Sequence, residues 1–497
     1  MSPPGAAVPD IVVLSDLHLG RGRNAETGRF HALEAFFYDE DFFRFCEHLC
    51  REAAERRNGL VVVFNGDTFD LLRIEPEPVG EDATRREKRY GPVVTPDRAG
   101  SMLKDVLLGH PRFVEGVALL LASGHRVVFL PGNHDIELQW PDAHAAVREA
   151  LLSSVRASRG AEAESRAKES LSFEPWFFHV PGRMWVEHGC QYDAESSFRY
   201  HLRSRAQGRA DALAQLERDL PLGSFCQRYL YNAFGALAFV VPSTRANLRY
   251  VRWLVANRPG LLLRVLASHG PFGLQFLRRL GTAVVPTRAL EQAHTEELEA
   301  LCDASGLGEK LRRIEGLKKV APSLVLAVRA LVWPVAKWGT LGLLLAVAAS
   351  GAWFTLFDVI ATLQVEFPVR TLLFLLLNGI TAVGLLAGVS YALWREAPEV
   401  RPRPLKRAAQ EIASELDVGV VTFGHTHDEV LWRLDRPSGG KAWYFNTGTW
   451  IAVFSHEVMV PRDRVQYTFL QVRGADAELL RWSPSLGRSV PVVLLDE

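Results

Sequence analysis

Two apolar segments, Leu341–Leu363 and Thr371–Trp394, constrain this chain more than any other feature. The first contains a single charged residue, Asp358, and the second contains none. Each is long enough to cross roughly 30 Å of hydrocarbon at about 1.5 Å per residue. The seven residues between them, Gln364–Arg370, include Pro368 and fit a tight hairpin. Small residues inside both segments would weaken a soluble helix but suit close packing of two membrane helices. Basic residues crowd the outer flanks: Lys310, Arg312, Arg313, Lys318, Lys319 and Lys337 before, and Arg395, Arg401, Arg403, Lys406 and Arg407 after. That asymmetry orients both flanks toward the cytoplasm. Asp358 lies toward the outer end of its segment, which suits an interfacial position better than an ion path. The competing reading is a buried hairpin in the core of a large soluble domain.

The rest of the 497 residues is ordinary in composition, 48% hydrophobic and 23% charged with zero net charge. Nothing in those totals indicates disorder or a nucleic-acid-binding surface. Five cysteines (Cys46, Cys50, Cys190, Cys226, Cys302) without CxxC spacing disfavour a disulfide framework or a thiolate zinc site, and fit a reducing compartment. The N-terminus has no basic start and no apolar run of signal-peptide length, so it is expected to stay in the cytosol.

From Asp10 to about Asp193, short apolar runs alternate with longer amphipathic ones. Ile11–Leu14, Leu60–Phe64 and Val127–Leu130 read as buried strands, and Phe42–Ala54 and Met102–Ala122 as helices. Strand–helix–strand alternation implies a layered α/β core with parallel pairing, whose chemistry belongs in loops beyond the strand ends. From Pro221 to Leu290 there is no Asp or Glu, while Arg228, Arg245, Arg249, Arg252, Arg258, Arg264, Arg278, Arg279 and Arg288 are scattered among aromatic and aliphatic residues. That stretch fits either an Arg-rich cap on acidic loops or interfacial helices on anionic lipid. After the hairpin, Leu405–Leu416 reads as an amphipathic helix and Val418–Phe423, Lys441–Asn446 and Val465–Val472 as strands. The division expected is a core at 8–195, a cap or interfacial insertion at 196–320, a hairpin region at 321–402 and the remainder of the core at 403–497. An even number of crossings returns the chain to one side, as completing a single site requires.

Five short motifs contain ligand types suited to a pair of divalent metals: Asp16-Leu-His18, Gly66-Asp67-Thr-Phe-Asp70, Gly132-Asn-His-Asp135, His188-Gly and Gly424-His-Thr-His427. In an extended loop Asp16 and His18 point the same way and can grip one ion together. The glycines permit sharp turns that bring side chains close to the ions. Any one of these motifs is weak evidence alone. Five in this order, most of them at the ends of expected strands, are not coincidence.

The set D-x-H, G-D-x-x-D, G-N-H-D, H-G and G-H-x-H resembles the calcineurin-like metallophosphoesterases over roughly residues 10–193 and 417–450. The resemblance implies a layered αββα-type core, here with a large helical insertion containing a two-helix transmembrane hairpin. It also implies a first metal held by Asp16, His18, Asp67 and His427, and a second held by Asn133, His188 and His425, with Asp67 bridging. His134 would face the phosphoryl group and stabilise transition-state charge, oriented by Asp135. Two divalent ions are implied, Mn²⁺ foremost, with Fe or Zn as alternatives.

Asp70 is followed by Leu71-Leu72, not by the Arg-Gly of the serine/threonine protein phosphatases in this superfamily. SDLHLG, GDTFD, GNHDIE and HGCQYD look closer to the UDP-2,3-diacylglucosamine pyrophosphohydrolases, with Asp193 matching a recurring aspartate. Cys190 stands where that group more usually has an aspartate, and the cap is longer here. The expected activity is metal-dependent phosphoester hydrolysis at the cytoplasmic membrane face, on a lipid-linked phosphoester or pyrophosphate and not on nucleic acid. The protein is expected to be multi-pass, with its catalytic part and both termini cytoplasmic. The substrate-contacting residues are not legible. A soluble-substrate phosphodiesterase or phosphatase and a non-catalytic membrane scaffold are the alternatives.

Overall fold

The computed structural model describes residues 8–74, 94–204, 219–229, 232, 239–240, 259–260, 263, 288–320, 333–395, 403–454 and 465–492. Its strands are β1 (Asp10–Leu14), β2 (Leu60–Asn65), β3 (Arg126–Leu130), β4 (Leu171–Phe173), β5 (Phe177–Val180), β6 (Met184–Glu187), β7 (Phe239–Val240), β8 (Val420–Phe423), β9 (Glu429–Asp435), β10 (Lys441–Thr447), β11 (Val453–Phe454), β12 (Thr468–Arg473), β13 (Asp476–Ser483) and β14 (Arg488–Pro491). One sheet runs β14-β13-β12-β1-β2-β3-β4 and a second runs β5-β6-β8-β10-β9, with β7 and β11 forming a separate pair.

Continuous β-branched runs explain the central strands, which are buried on both faces. Val12 aligns with Val62, and Val62 with Val127, in parallel register. Alternate residues then point to opposite sides. Ile11, Val13, Val61 and Val63 meet Met184, Val186, Val420 and Phe445 in a core between the two sheets. Val12, Leu14, Val62 and Phe64 face the other way, onto the helices Asp39–Arg56, Pro96–Gly109, Pro111–Ala122 and Pro141–Ser170. The second sheet turns Trp185, Val421, Phe423 and Tyr444 outward against the helices Arg403–Leu416 and Glu309–Glu315. The result is helix, sheet, sheet, helix.

Strands from both ends of the chain share each sheet. β12 pairs antiparallel with β1, and β8 lies parallel between β6 and β10. Residues on both sides of the long intervening segment therefore build the same layers.

Three expectations need adjustment. Met102–Ala122 is two helices, because Pro111 cannot continue the first and His110 before it leaves the helical region at φ −125° and ψ 56°. The apolar pair is present as helices Trp333–Thr362 and Phe367–Arg395. They pack antiparallel, with Trp353 Nε1 donating to Asn378 Oδ1 at 3.2 Å and the Phe357 and Phe374 ring centres 4.6 Å apart. Among the described residues one window, Phe367–Gly384, is long and apolar enough to cross a membrane, and only 6% of it is buried. Among the described residues, that window is therefore not packed into a core. Of the arginine-rich stretch, Arg245, Arg249, Arg252, Arg258, Arg264, Arg278 and Arg279 lie outside the described residues. Arg228 is buried on the helix Leu222–Tyr229, where its charge acts on Glu137.

Candidate metal centre

All five motifs follow the carboxyl ends of parallel strands. Asp16 and His18 follow β1, Asp67 and Asp70 follow β2, and Asn133, His134 and Asp135 follow β3. His188 follows β6, and His425 and His427 follow β8. The strand-end loops are laced together. Asp16 N–H donates to the Gly66 carbonyl at 3.2 Å, His18 N–H to that of Asp67 at 2.9 Å, and Gly424 N–H to that of His188 at 3.0 Å. Asp16, His18, Asp67, His425 and His427 all have positive φ, between 49° and 71°. Non-glycine residues rarely adopt that conformation, and where they do the surroundings enforce it.

The side chains converge as a result. His427 Nε2 lies 3.3 Å and His18 Nε2 3.8 Å from Asp16 Oδ1, and the two imidazole nitrogens are 3.0 Å apart. Asp67 Oδ2 is 3.3 Å from His188 Nε2 and 3.9 Å from His18 Nε2. The groups Asp16–His18–His427, His18–Asp67–His134 and Asp16–Asp67–His188 each bring their ligand atoms within 4.8 Å of one another. Asp16, His18 and Asp67 each belong to two of these groups, so the three groups form one continuous cluster.

The donor set fits a divalent metal pair. Asp16 Oδ1, Asn133 Oδ1 and His188 Nε2 are buried without a hydrogen bond among the described residues, a costly arrangement unless something cationic completes it. His188 Nδ1 faces the Asn65 carbonyl at 2.9 Å, which assigns a proton to Nδ1 and turns Nε2 toward the Asp67 carboxylate as the atom free to bind an ion. Two glycines make room: a Cβ on Gly132 would overlap the Asp67 carboxylate, and one on Gly424 would lie 2.5 Å from Asp16 Oδ2. Oxygen and imidazole donors of this mix suit Mn, Fe or Zn.

Two partners differ from expectation. His134 Nδ1 is held by Asp70 Oδ1 at 2.8 Å, not by Asp135. Asp135 instead accepts backbone N–H groups from Asp67 (3.1 Å), Thr68 (2.8 Å), Phe69 (3.1 Å) and Gly132 (2.6 Å), so it stitches two strand-end loops together. His425 lies outside the three close groups. Its Nε2 is 3.0 Å from Asp193 Oδ2, which leaves Nδ1 as its available ligand atom. Cys190 is buried and lines a small cavity with His188 and Gly132, but belongs to none of the ligand groups.

The electrostatics are those of a cation site. Burial opposes ionisation of Asp67, yet the surrounding imidazoles hold its carboxyl well below the usual range. Burial likewise disfavours charge on His188 and His134, but Asp67 acting on the first and Asp70 with Asp67 on the second raise them to about 10 and about 9. Burial lowers His18 to about 4. Asp135 is pushed up to about 7 by burial first and by the Asp67 charge second.

Several supporting residues carried no signal in the motifs. Glu34 accepts N–H groups from Gly20, Gly22, Ala35 and Phe36, and His110 holds its other side at 3.3 Å, which pins the loop carrying Asp16 and His18. Thr449 Oγ1 donates to the Asp16 carbonyl at 2.7 Å, and Ser15 Oγ lies between Asp16 Oδ2 and Thr447 Oγ1. Glu187, next to His188, accepts from Trp176, Trp185 and Tyr192 at 2.6, 2.9 and 2.7 Å.

Comparison with known families agrees with this geometry. The profile of the calcineurin-like phosphoesterases matches residues 9–273, just over half of the chain. A search of curated proteins finds no match. With a matching family, a layered fold and carboxylates and imidazoles gathered at the strand ends for two metals, the chain belongs to the calcineurin-like phosphoesterases and is a dinuclear metal-dependent enzyme.

Proposed function

We propose that this enzyme hydrolyses a phosphoester or pyrophosphate bond in a substrate held by a lipid in the cytoplasmic leaflet. The observation that carries the reading is the combination of a two-metal phosphoesterase site with an exposed apolar hairpin in one chain. Leu343, Phe354, Leu375 and Ile380 on that hairpin are 66%, 65%, 66% and 70% exposed. Apolar surface on that scale calls for a cover, and lipid is the cover its length fits. The site would then lie near the bilayer, with catalytic part and termini on the cytoplasmic side. On this reading residues 196–320 form a cap and 321–402 the hairpin region, both inserted into a core made of 8–195 and 403–497. The motif likeness to UDP-2,3-diacylglucosamine pyrophosphohydrolases supports a lipid-linked pyrophosphate.

Asp16, His18 and His427 would hold one ion, and Asn133, His188 and His425 the other, with Asp67 shared and Mn²⁺ the preferred metal. When bound, such a pair neutralises phosphoryl charge and supplies an acidified water. His134 does the remaining work on the protein side. Anchored through Nδ1 by Asp70, it presents Nε2 to stabilise charge on the transferring group and to protonate the leaving oxygen. Asp135 keeps the loops beneath it in register.

Purified protein in detergent, supplied with Mn²⁺, tests the substrate. We expect kcat/KM for a lipid-linked pyrophosphate to exceed that for an aryl phosphodiester or a soluble nucleotide by at least about tenfold, through binding energy remote from the reacting group. Equal values would favour a soluble substrate. Topology is tested separately: a single cysteine at Glu366 should react with an impermeant probe from outside the cell, and cysteines in either catalytic half should not.

A further inference from the structure

Outside the catalytic centre, one further group of metal-ligating side chains is buried together among the described residues: His201, His294 and Glu315. His201 follows the HGCQYD segment, His294 lies on the helix Arg288–Ser305, and Glu315 ends the helix Glu309–Glu315. The ligand atoms of all three fall within 4.8 Å of one another, and none is shared with the catalytic groups.

His201 is the anomaly. It is 1% exposed, and both ring nitrogens lack a hydrogen bond among the described residues. Glu315 Oε2 also lacks one, and it lies 4.0 Å from His201 Nδ1. That separation is too long for a hydrogen bond. It is about 0.7 Å wider than the spacing of about 3.3 Å between two ligands of one tetrahedral zinc, given bonds of about 2.0–2.1 Å, a gap that a rotation of either side chain closes. Glu315 Oε1 is already used: His294 Nε2 is 2.8 Å away and Lys318 Nζ donates to the same oxygen. An imidazole and a carboxylate oxygen thus face each other, buried and unsatisfied, with a second imidazole beside them. His201 also lines, with Gln139 and Trp176, a small cavity of about 10 Å³, room for about one water.

We propose that His201, His294 and Glu315 form a third metal site, which takes a borderline divalent ion of the zinc class. Two imidazoles and one carboxylate are a donor set such an ion prefers. In its absence Leu202 N–H points at His294 Nδ1 at 3.3 Å, so the Nε2 proton goes to Glu315. Ion uptake at Nε2 moves that proton to Nδ1 and gives up the long Leu202 contact. The function is mechanical: the ion fastens the helices 288–305 and 309–315 to the segment that follows His188.

The test measures bound zinc per full-length chain in detergent, after chelation and reloading. Asp67→Ala, in which the catalytic pair is lost, should retain one equivalent. Asp67→Ala combined with Glu315→Gln or His201→Gln should retain none. In the otherwise unchanged chain, Glu315→Gln should lower the content by one equivalent with hydrolysis of an aryl phosphodiester intact, a result independent of the role given to Asp67. Cobalt added to the Asp67→Ala protein gives a second readout needing no change in the cluster, the visible absorption of a four-coordinate ion with imidazole ligands. A colourless cobalt complex, or metal content unchanged by both Glu315→Gln and His201→Gln, overturns the proposal.

Discussion

Asp70 Oδ1 lies 2.8 Å from His134 Nδ1, while the other oxygen of the same carboxylate is 3.3 Å from His18 Nδ1. One aspartate therefore orients both a candidate metal ligand and the candidate proton donor. Asp70→Asn should lower kcat by roughly a hundredfold, the scale of a general acid–base group, with KM and folding little changed. Asp135→Asn should behave differently, because its amide NH2 would face two of the four backbone N–H groups that the carboxylate accepts. It should lower thermal stability and metal content together. Steady-state kinetics, metal analysis and melting on both variants check the assignment; a kcat-only defect in Asp135→Asn would reverse it.

Asp67→Ala removes the carboxylate proposed to bridge the two ions, which sits in two of the close ligand groups, as Asp16 does. Loss of turnover to background and of both catalytic metals is expected, with far-UV circular dichroism preserved. Near-normal activity with its metal content retained would sink the shared-ligand role.

Asp193 touches His425, not a reacting atom. Partners of this kind typically cost 10–100-fold in metal affinity when removed. Asp193→Ala should accordingly weaken one of two metal-binding steps in a titration by about that factor. Activity should return at high metal concentration, which loss of a direct ligand would not allow.

His110 supplies a pH dependence of stability. Burial disfavours its charge, but Asp39 at 3.0 Å and Glu34 at 3.3 Å raise it to about 9. A histidine raised in the folded state stabilises fully below its unfolded value of about 6.5 and loses that contribution as pH climbs through about 9. The loss is on the order of 3 kcal/mol. Thermal midpoints should fall between those values, and His110→Gln should flatten the slope. An unchanged slope in the variant would place the effect elsewhere.

The ligand set was legible because its chemistry is written locally. Asp, His and Asn follow apolar strand-length runs, beside glycines such as Gly132 and Gly424 that no larger residue could replace. The His134 partner was misread because Asp135 adjoins it in the chain, whereas Asp135 has φ −132° and ψ 36° and its carboxylate turns to the backbone of another loop. Glu34 and His110, 76 residues apart, had no local signature at all. The helix break at Pro111 was hidden by apolar spacing that continues through it on both sides.

The contact between His18 and His427 spans 409 residues. During synthesis at about 5–20 residues per second, the first half of the site therefore waits some ~20–80 s for its last ligands. Throughout that interval Asp16 lacks the His427 ring that flanks it in the finished protein. A nascent chain arrested before residue 424 would carry the matched family segment and four of the five motifs, yet lack His425 and His427. The centre can close only once the strand-end loop after β8 has been made.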